Sequence, residues 1–172
     1  MSNALVLGKN AEYVTLEGEV ASGETLYPGM VVEERGTTPS AGADTPTVGV
    51  VDTADKLGES VRVVLPPDTP PHANDADEPI EHEYDAGEHV EYAVVYAGRV
   101  QNIILAAGNN LSGGGSADVS YDDPIVSNDD GGVKSQGTAG AIFARAREAV
   151  DNSGAGSNQG GISGARLDVE VV

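Results

Sequence analysis

The chain has 172 residues, of which 28 are Asp or Glu and 9 are Lys or Arg, giving a formal net charge of −19 and a pI near 4.1. This balance argues against a direct role on nucleic acid, because phosphate contacts need clustered Lys and Arg. No Cys is present, which excludes disulfides and thiol chemistry; with no transmembrane run or signal segment expected either, action in a soluble compartment or on a particle assembled there is expected.

The length suits one compact domain or two intimately packed halves. With 23 Gly, 9 Pro, one Phe and no Trp, the core must be built from Val, Ala, Leu and Ile. Val favours strands, since β-branching packs well on a pleated surface. A core so short of large side chains is thin, and further burial between copies is expected. The only lysines are Lys9, Lys56 and Lys134. Lys depletion together with acid enrichment fits folding in brine, where like-charge repulsion is screened within roughly 3 Å at molar salt.

In chain order, residues 1–10 read as an N-terminal arm in which Ala4-Leu5-Val6-Leu7 is an apolar patch ahead of Gly8. Residues 11–65 read as a first β unit, with strands at 12–16, 30–34, 48–52 and 61–65. Tyr27-Pro28-Gly29 is a turn, and Val61-Arg62-Val63 alternates with Arg62 outward. Residues 66–88 form an acidic excursion broken by Pro66, Pro67, Pro70, Pro71 and Pro79, which cannot be a central strand. Residues 89–172 read as a second β unit. It opens with strands at 89–96 and 99–105 joined by a tight turn at Ala97-Gly98. Gly113-Gly114-Gly115 is a flexible tip, and Asp129-Asp130-Gly131-Gly132 a hairpin turn between Ile125-Val126 and Val133. Ala139 to Val150 reads as a strand running into a helical turn near 144–150; 151–164 is a Gly, Ser and Asn loop, and Arg166 to Val172 is the closing strand. The expected fold is therefore all-β: a small barrel or sandwich of two loosely repeated units with at most one short helix.

Several clusters carry residue types that chemistry uses. His72, Asp75, Asp77, Glu78, Glu81, His82, Glu83, Asp85, Glu88 and His89 contain ligand types, yet they lie on a Pro-broken segment rather than at short spacings on rigid elements, so a solvated acidic loop is expected. Surplus carboxylates allow weak, unspecific Mg²⁺, Ca²⁺, Na⁺ or K⁺ binding, and no cofactor is expected. Ser127-Asn128-Asp129-Asp130-Gly131 lacks the terminal Glu of a calcium loop, and the glycine run at 113–115 lacks the Lys of a phosphate loop. No nucleophile elbow stands on a strand-to-helix turn. A non-enzymatic protein is expected, with no catalytic, cofactor or metal residues.

The chain also repeats itself. Ala21 to Leu65 and Ala106 to Val171 each begin with a Gly three residues before a Leu (Gly23 to Leu26, Gly108 to Leu111), and each then runs strand, turn, strand, loop, strand. The stretch from Ala106-Ala107-Gly108-Asn109-Asn110-Leu111 through Asp123-Pro124-Ile125-Val126 to Asp130-Gly131-Gly132-Val133-Lys134 resembles capsid decoration proteins of tailed viruses. Ala141-Ile142-Phe143-Ala144, Ala146 to Val150 and Leu167 to Val171 continue the likeness, and Val48-Gly49-Val50-Val51-Asp52-Thr53-Ala54 carries its outline in the first copy. The sequence departs from that pattern in the 66–88 excursion and in Asp122-Asp123, where Gly-Asp is usual. The resemblance implies a cement protein on the capsid exterior, assembled in the host cytoplasm, whose partners are the major capsid protein and its own copies. It implies a homotrimer, with a pentamer or hexamer as the other arrangement. Together with the acidity it implies a haloarchaeal host. Ala4, Leu5, Val6 and Leu7 are the expected capsid or subunit contact, by strand addition at a sheet edge. The alternative function is a carbohydrate- or receptor-binding β module of a turret or tail.

Overall fold

Alternating apolar residues in segments too short for helices build strands, and in this chain the strands close on themselves. The computed structural model describes residues 6–8, 10–37, 45–51, 60–67, 82–155 and 165–172. The expectations for the interiors of the 66–88 excursion and the 151–164 loop fall largely outside them.

The strands are β1 (Val6–Leu7), β2 (Glu12–Val20), β3 (Val31–Thr37), β4 (Pro46–Val50), β5 (Val61–Val64), β6 (His89–Ile104), β7 (Asp118–Val119), β8 (Pro124–Ser127), β9 (Val133–Ser135), β10 (Ala144–Ala146), β11 (Val150–Asp151) and β12 (Arg166–Val171). The fold is all-β, a barrel with additional strands. Among the described residues the one helical segment is a 3-10 turn at Gly108–Asn110.

In the first circuit, β2 pairs with β4, β4 with β3, β3 with β5, β5 with β6, and β6 returns to β2. The closing β2–β4 contact is parallel and short, Glu19 with Thr47 and Val20 with Val48, and the Ala21 amide then donates to the Val48 carbonyl at 2.8 Å. A second circuit has the same order. Here β6 stands where β2 stood, followed by β9, β8, β10 and β12, which returns to β6. Its closing contact is again parallel, Leu105 with Val133, and the Ala106 amide donates to the Val133 carbonyl at 2.8 Å.

The 16-residue strand β6 therefore belongs to both circuits. The expected tight turn at Ala97-Gly98 is not formed; the strand runs straight through it. The reason lies in its partners. A bulge places Tyr13 opposite Val95 but Glu12 opposite Ala97, leaving Tyr96 as the extra residue. Beyond it, β2 gives way to β1 on one edge, while β5 gives way to β12 along the strand. Gly98 has φ +104, and a Cβ there would stand 2.6 Å from Ala11 Cα, so its glycine serves a close chain crossing and not a reversal.

The core follows from the same strand. Val90, Tyr92 and Val94 gather with Val20, Val32 and Val48. The intervening Ala93 and Val95 turn to the opposite face, into a larger cluster holding Val31, Val63, Ile125, Leu167 and Val169. That cluster mixes residues of both circuits, so the two share one core.

The expected helical turn at 144–150 is also absent. Ala144 and Ala146 are buried with Arg145 between them half-exposed, a period of two; β10 lies between β8 and β12, and β11 pairs with β7. Tertiary pairing overrides the helix propensity of Ala, Arg and Glu.

Asp168 sits where the β12–β6 register shifts. Its carboxylate accepts from Arg99 at 2.8 Å, Gln101 Nε2 at 2.9 Å and the Asn102 amide at 3.2 Å, and so holds Asn102 in its left-handed conformation at φ 65. Asp168→Ala removes the acceptor of three hydrogen bonds, one of them from an arginine, and a loss of about 2–3 kcal/mol is expected in urea unfolding. A loss under about 0.5 kcal/mol, the range of neutral surface changes, would show that the register shift holds without it.

Candidate interaction surface

Two features of the surface stand apart from ordinary solvated strand and turn. The first is a cleft of about 500 Å³ where the turn after β2 meets the β8–β9 hairpin, lined by Glu24, Tyr27, Met30, Glu83, Asp129 and Asp130 among others. The hairpin is the one its Asp-Asp-Gly-Gly sequence predicts: the Asn128 amide donates to the Gly132 carbonyl at 2.9 Å, and Ser127 pairs with Val133. Asp130 caps the Gly132 amide at 3.0 Å with one oxygen and accepts from Asn110 at 2.8 Å with the other. Asp129 has φ 68 and accepts from the Ser112 hydroxyl through Oδ2, while its buried Oδ1 has no protein partner.

Only part of the cleft's negative charge is offset by cations around it. Glu24 is held by Arg35 and accepts from the Val50 amide at 2.7 Å. Lys134, on the β9 arm of the hairpin, is buried; burial lowers its pKa, and Asp129 and Asp130 partly offset that. Burial raises the pKa of Tyr27, with Glu83 adding to the effect. The lining, an aromatic ring and several carboxylates, suits a polyol or a cation in chemical character. Among the described residues, however, no group of three or more His, Asp or Glu is arranged to hold a metal ion.

The second feature is an edge. One side of β2 pairs with β6 along Glu12 to Glu19, but the other side meets β4 only at Glu19 and Val20. Among the described residues, Glu12 to Glu17 thus have a bare edge, and all six side chains are exposed. Tyr13, Val14 and Leu16 are each more than 40% exposed, at 45%, 44% and 41%, and the bulged Tyr96 beside them reaches 49%. Glu12, Glu17 and Glu91 flank these apolar groups, and Glu17 lies directly opposite Glu91.

The arm is divided. Ala4 and Leu5 lie outside the described residues, whereas Val6 and Leu7 form β1 and pair with Gln101 and Val100 of the same chain. Leu7 packs against the shared core. Of the histidine and carboxylate segment, residues 68–81 lie outside the described part. His82, half-buried, meets Tyr84 edge-on with ring centroids 4.5 Å apart, and the exposed His89 lies 3.4 Å from the exposed Glu17.

The arginines are all spoken for. Arg35, Arg62, Arg99 and Arg147 bond to carboxylates, and Arg145 and Arg166 donate to backbone carbonyls. Arg166 reaches from β12 to the Pro28 carbonyl at 2.6 Å, tying the closing strand to the first circuit's turn. Each arginine therefore has a partner within the chain.

Sequence reasoning did not find the cleft, because its walls are more than 100 residues apart and meet only when both circuits close. It did identify β2 as a strand, but alternation cannot tell that one edge lacks a partner. Neither a protein-family model nor a curated protein matches the chain.

Proposed function

We propose that the protein is a structural, non-enzymatic component of a virion that binds the outside of an icosahedral capsid and stabilises it. Its partners in this reading are the major capsid protein and further copies of itself, as a homotrimer on three-fold positions or, failing that, a pentameric or hexameric turret. The observation that carries the reading is the second circuit. The residues that resemble decoration proteins, Ala106 to Lys134 with Ala141 to Ala144, Ala146 to Val150 and Leu167 to Val171, supply Leu105's closing partner and nearly all of β8, β9, β10 and β12, the strands that complete this circuit on the shared strand β6. The surface charge fits a tailed virus of a haloarchaeal host, where brine screens it.

The cleft favours a second reading, a carbohydrate- or receptor-binding β module, because Tyr27 beside several carboxylates is a lining that can hold a polyol. Cryo-electron microscopy of native particles separates the two. Density for this fold at a copy number matching the capsid lattice is the expected result. Copies confined to tail tips would overturn the decoration reading and favour the second.

A further inference from the structure

The two circuits differ in how one edge is covered, and the difference exposes backbone. In the second circuit β6 takes the part of β2, and its outer edge at Val100 and Gln101 is covered by β1. At the same distance ahead of the first circuit's closing residue Val20, β2 presents Thr15 and Leu16, and among the described residues nothing pairs there. A bare edge with unpaired amides and carbonyls is a template for another strand.

We propose that the β2 edge from Glu12 to Glu17 takes an extended segment of a partner protein, apolar at its centre and flanked by Lys or Arg. The chain itself shows the pairing mode: β1 contributes Val6 and Leu7 as a short antiparallel addition to β6. Specificity comes from the side chains around the edge. Tyr13, Val14, Leu16 and Tyr96 offer exposed apolar surface to the middle of an incoming strand. Glu12, Glu17 and Glu91 surround it with negative charge and call for cations at its ends. A second copy is the poorer occupant. Two chains of net charge −19 repel at any register, and the antiparallel register that sets Tyr13 across from Leu16 also sets Glu12 directly across from Glu17. The inference does not depend on the particle the protein occupies.

The test uses the whole protein, at a salt concentration where circular dichroism shows it folded, and a synthetic blocked peptide Lys-Lys-Val-Thr-Val-Thr-Val-Lys-Lys. Backbone NMR should show amide exchange within residues 12–17 slowed at least about tenfold at saturating peptide, the protection expected of new ladder hydrogen bonds. The same peptide with a central Pro, or with Glu for each Lys, should give none. Leu16→Lys changes an exposed side chain, should leave the dichroism unchanged, and should weaken binding of the Lys peptide about tenfold or more. Unchanged exchange at 12–17 with millimolar peptide would overturn the proposal. So would equal binding of the Glu peptide, since the partner chemistry would then be wrong. Protection that rises with protein concentration without peptide would also overturn it and assign the edge to a second copy.

Discussion

The isolated protein is expected to melt on the order of 10 °C lower in 0.1 M KCl than in 3 M KCl; at about 2–4 °C per kcal/mol for a chain of this size, that is a few kcal/mol. The cause is repulsion that the fold itself imposes. Pairing of β2 with β6 sets Glu17 directly opposite Glu91, and closing the two circuits brings Glu24, Glu83, Asp129 and Asp130 around one cleft. The Debye length falls from about 10 Å at 0.1 M to about 3 Å at 1 M, so simple screening should deliver most of its gain by then. Glu91→Gln should raise the midpoint in 0.1 M salt and lose that advantage in 3 M salt. Thermal melts followed by circular dichroism across the series decide the matter. A midpoint constant from 0.1 M to 3 M would remove the brine reading, and a Glu91→Gln gain that persists at 3 M would show that the effect is not electrostatic.

What the sequence disclosed and what it hid have physical causes. Strands with one buried face were legible: Val61-Arg62-Val63 and Leu167-Asp168-Val169 alternate because each has a core side and an outer side. The Asp129-Asp130-Gly131 turn was legible because local chemistry, a carboxylate cap and a positive-φ glycine, makes it. Gly98 was misleading, since a glycine between apolar runs marks a tight turn or a crossing equally well; Ala11, far away in sequence, decides which. Ala144 to Ala149 misled for a related reason. Helix propensity is local, whereas the partners that make β10 a strand are β8 and β12, one of them closing the chain. The candidate surfaces were least legible of all, because a bare edge and an acidic cleft are properties of what other segments do or do not cover.

The paired glycines that first mark the repeat carry a sharper expectation: Gly108→Ala should cost about 3–5 kcal/mol, from overpacking and broken backbone bonds together, and Gly23→Ala only about 1–2 kcal/mol, the cost of a left-handed Cβ. Gly23 has φ +80 with no atom within 4 Å of a would-be Cβ, so its substitution strains only its own backbone. Gly108 has no positive φ to satisfy. A Cβ there would overlap the backbone carbonyl of Ser153, and the chain at 152–155 is held against it. The Gly108 amide donates to the Asn152 carbonyl at 3.0 Å and the Asn109 amide to the Ala155 carbonyl at 3.2 Å. Asn152 Nδ2 in turn donates to the carbonyls of Leu105 and Ala106, the residues that close the second circuit on Val133. Pushing this segment outward therefore breaks the bonds that support the closing bridge, and loss of protection should begin at Leu105, Ala106 and Val133. Urea unfolding of both variants, with hydrogen exchange read at those three amides, is the measurement. Equal losses for the two glycines, or protection that fails first in the first circuit, would mean that the Ser153 contact does not support the closure.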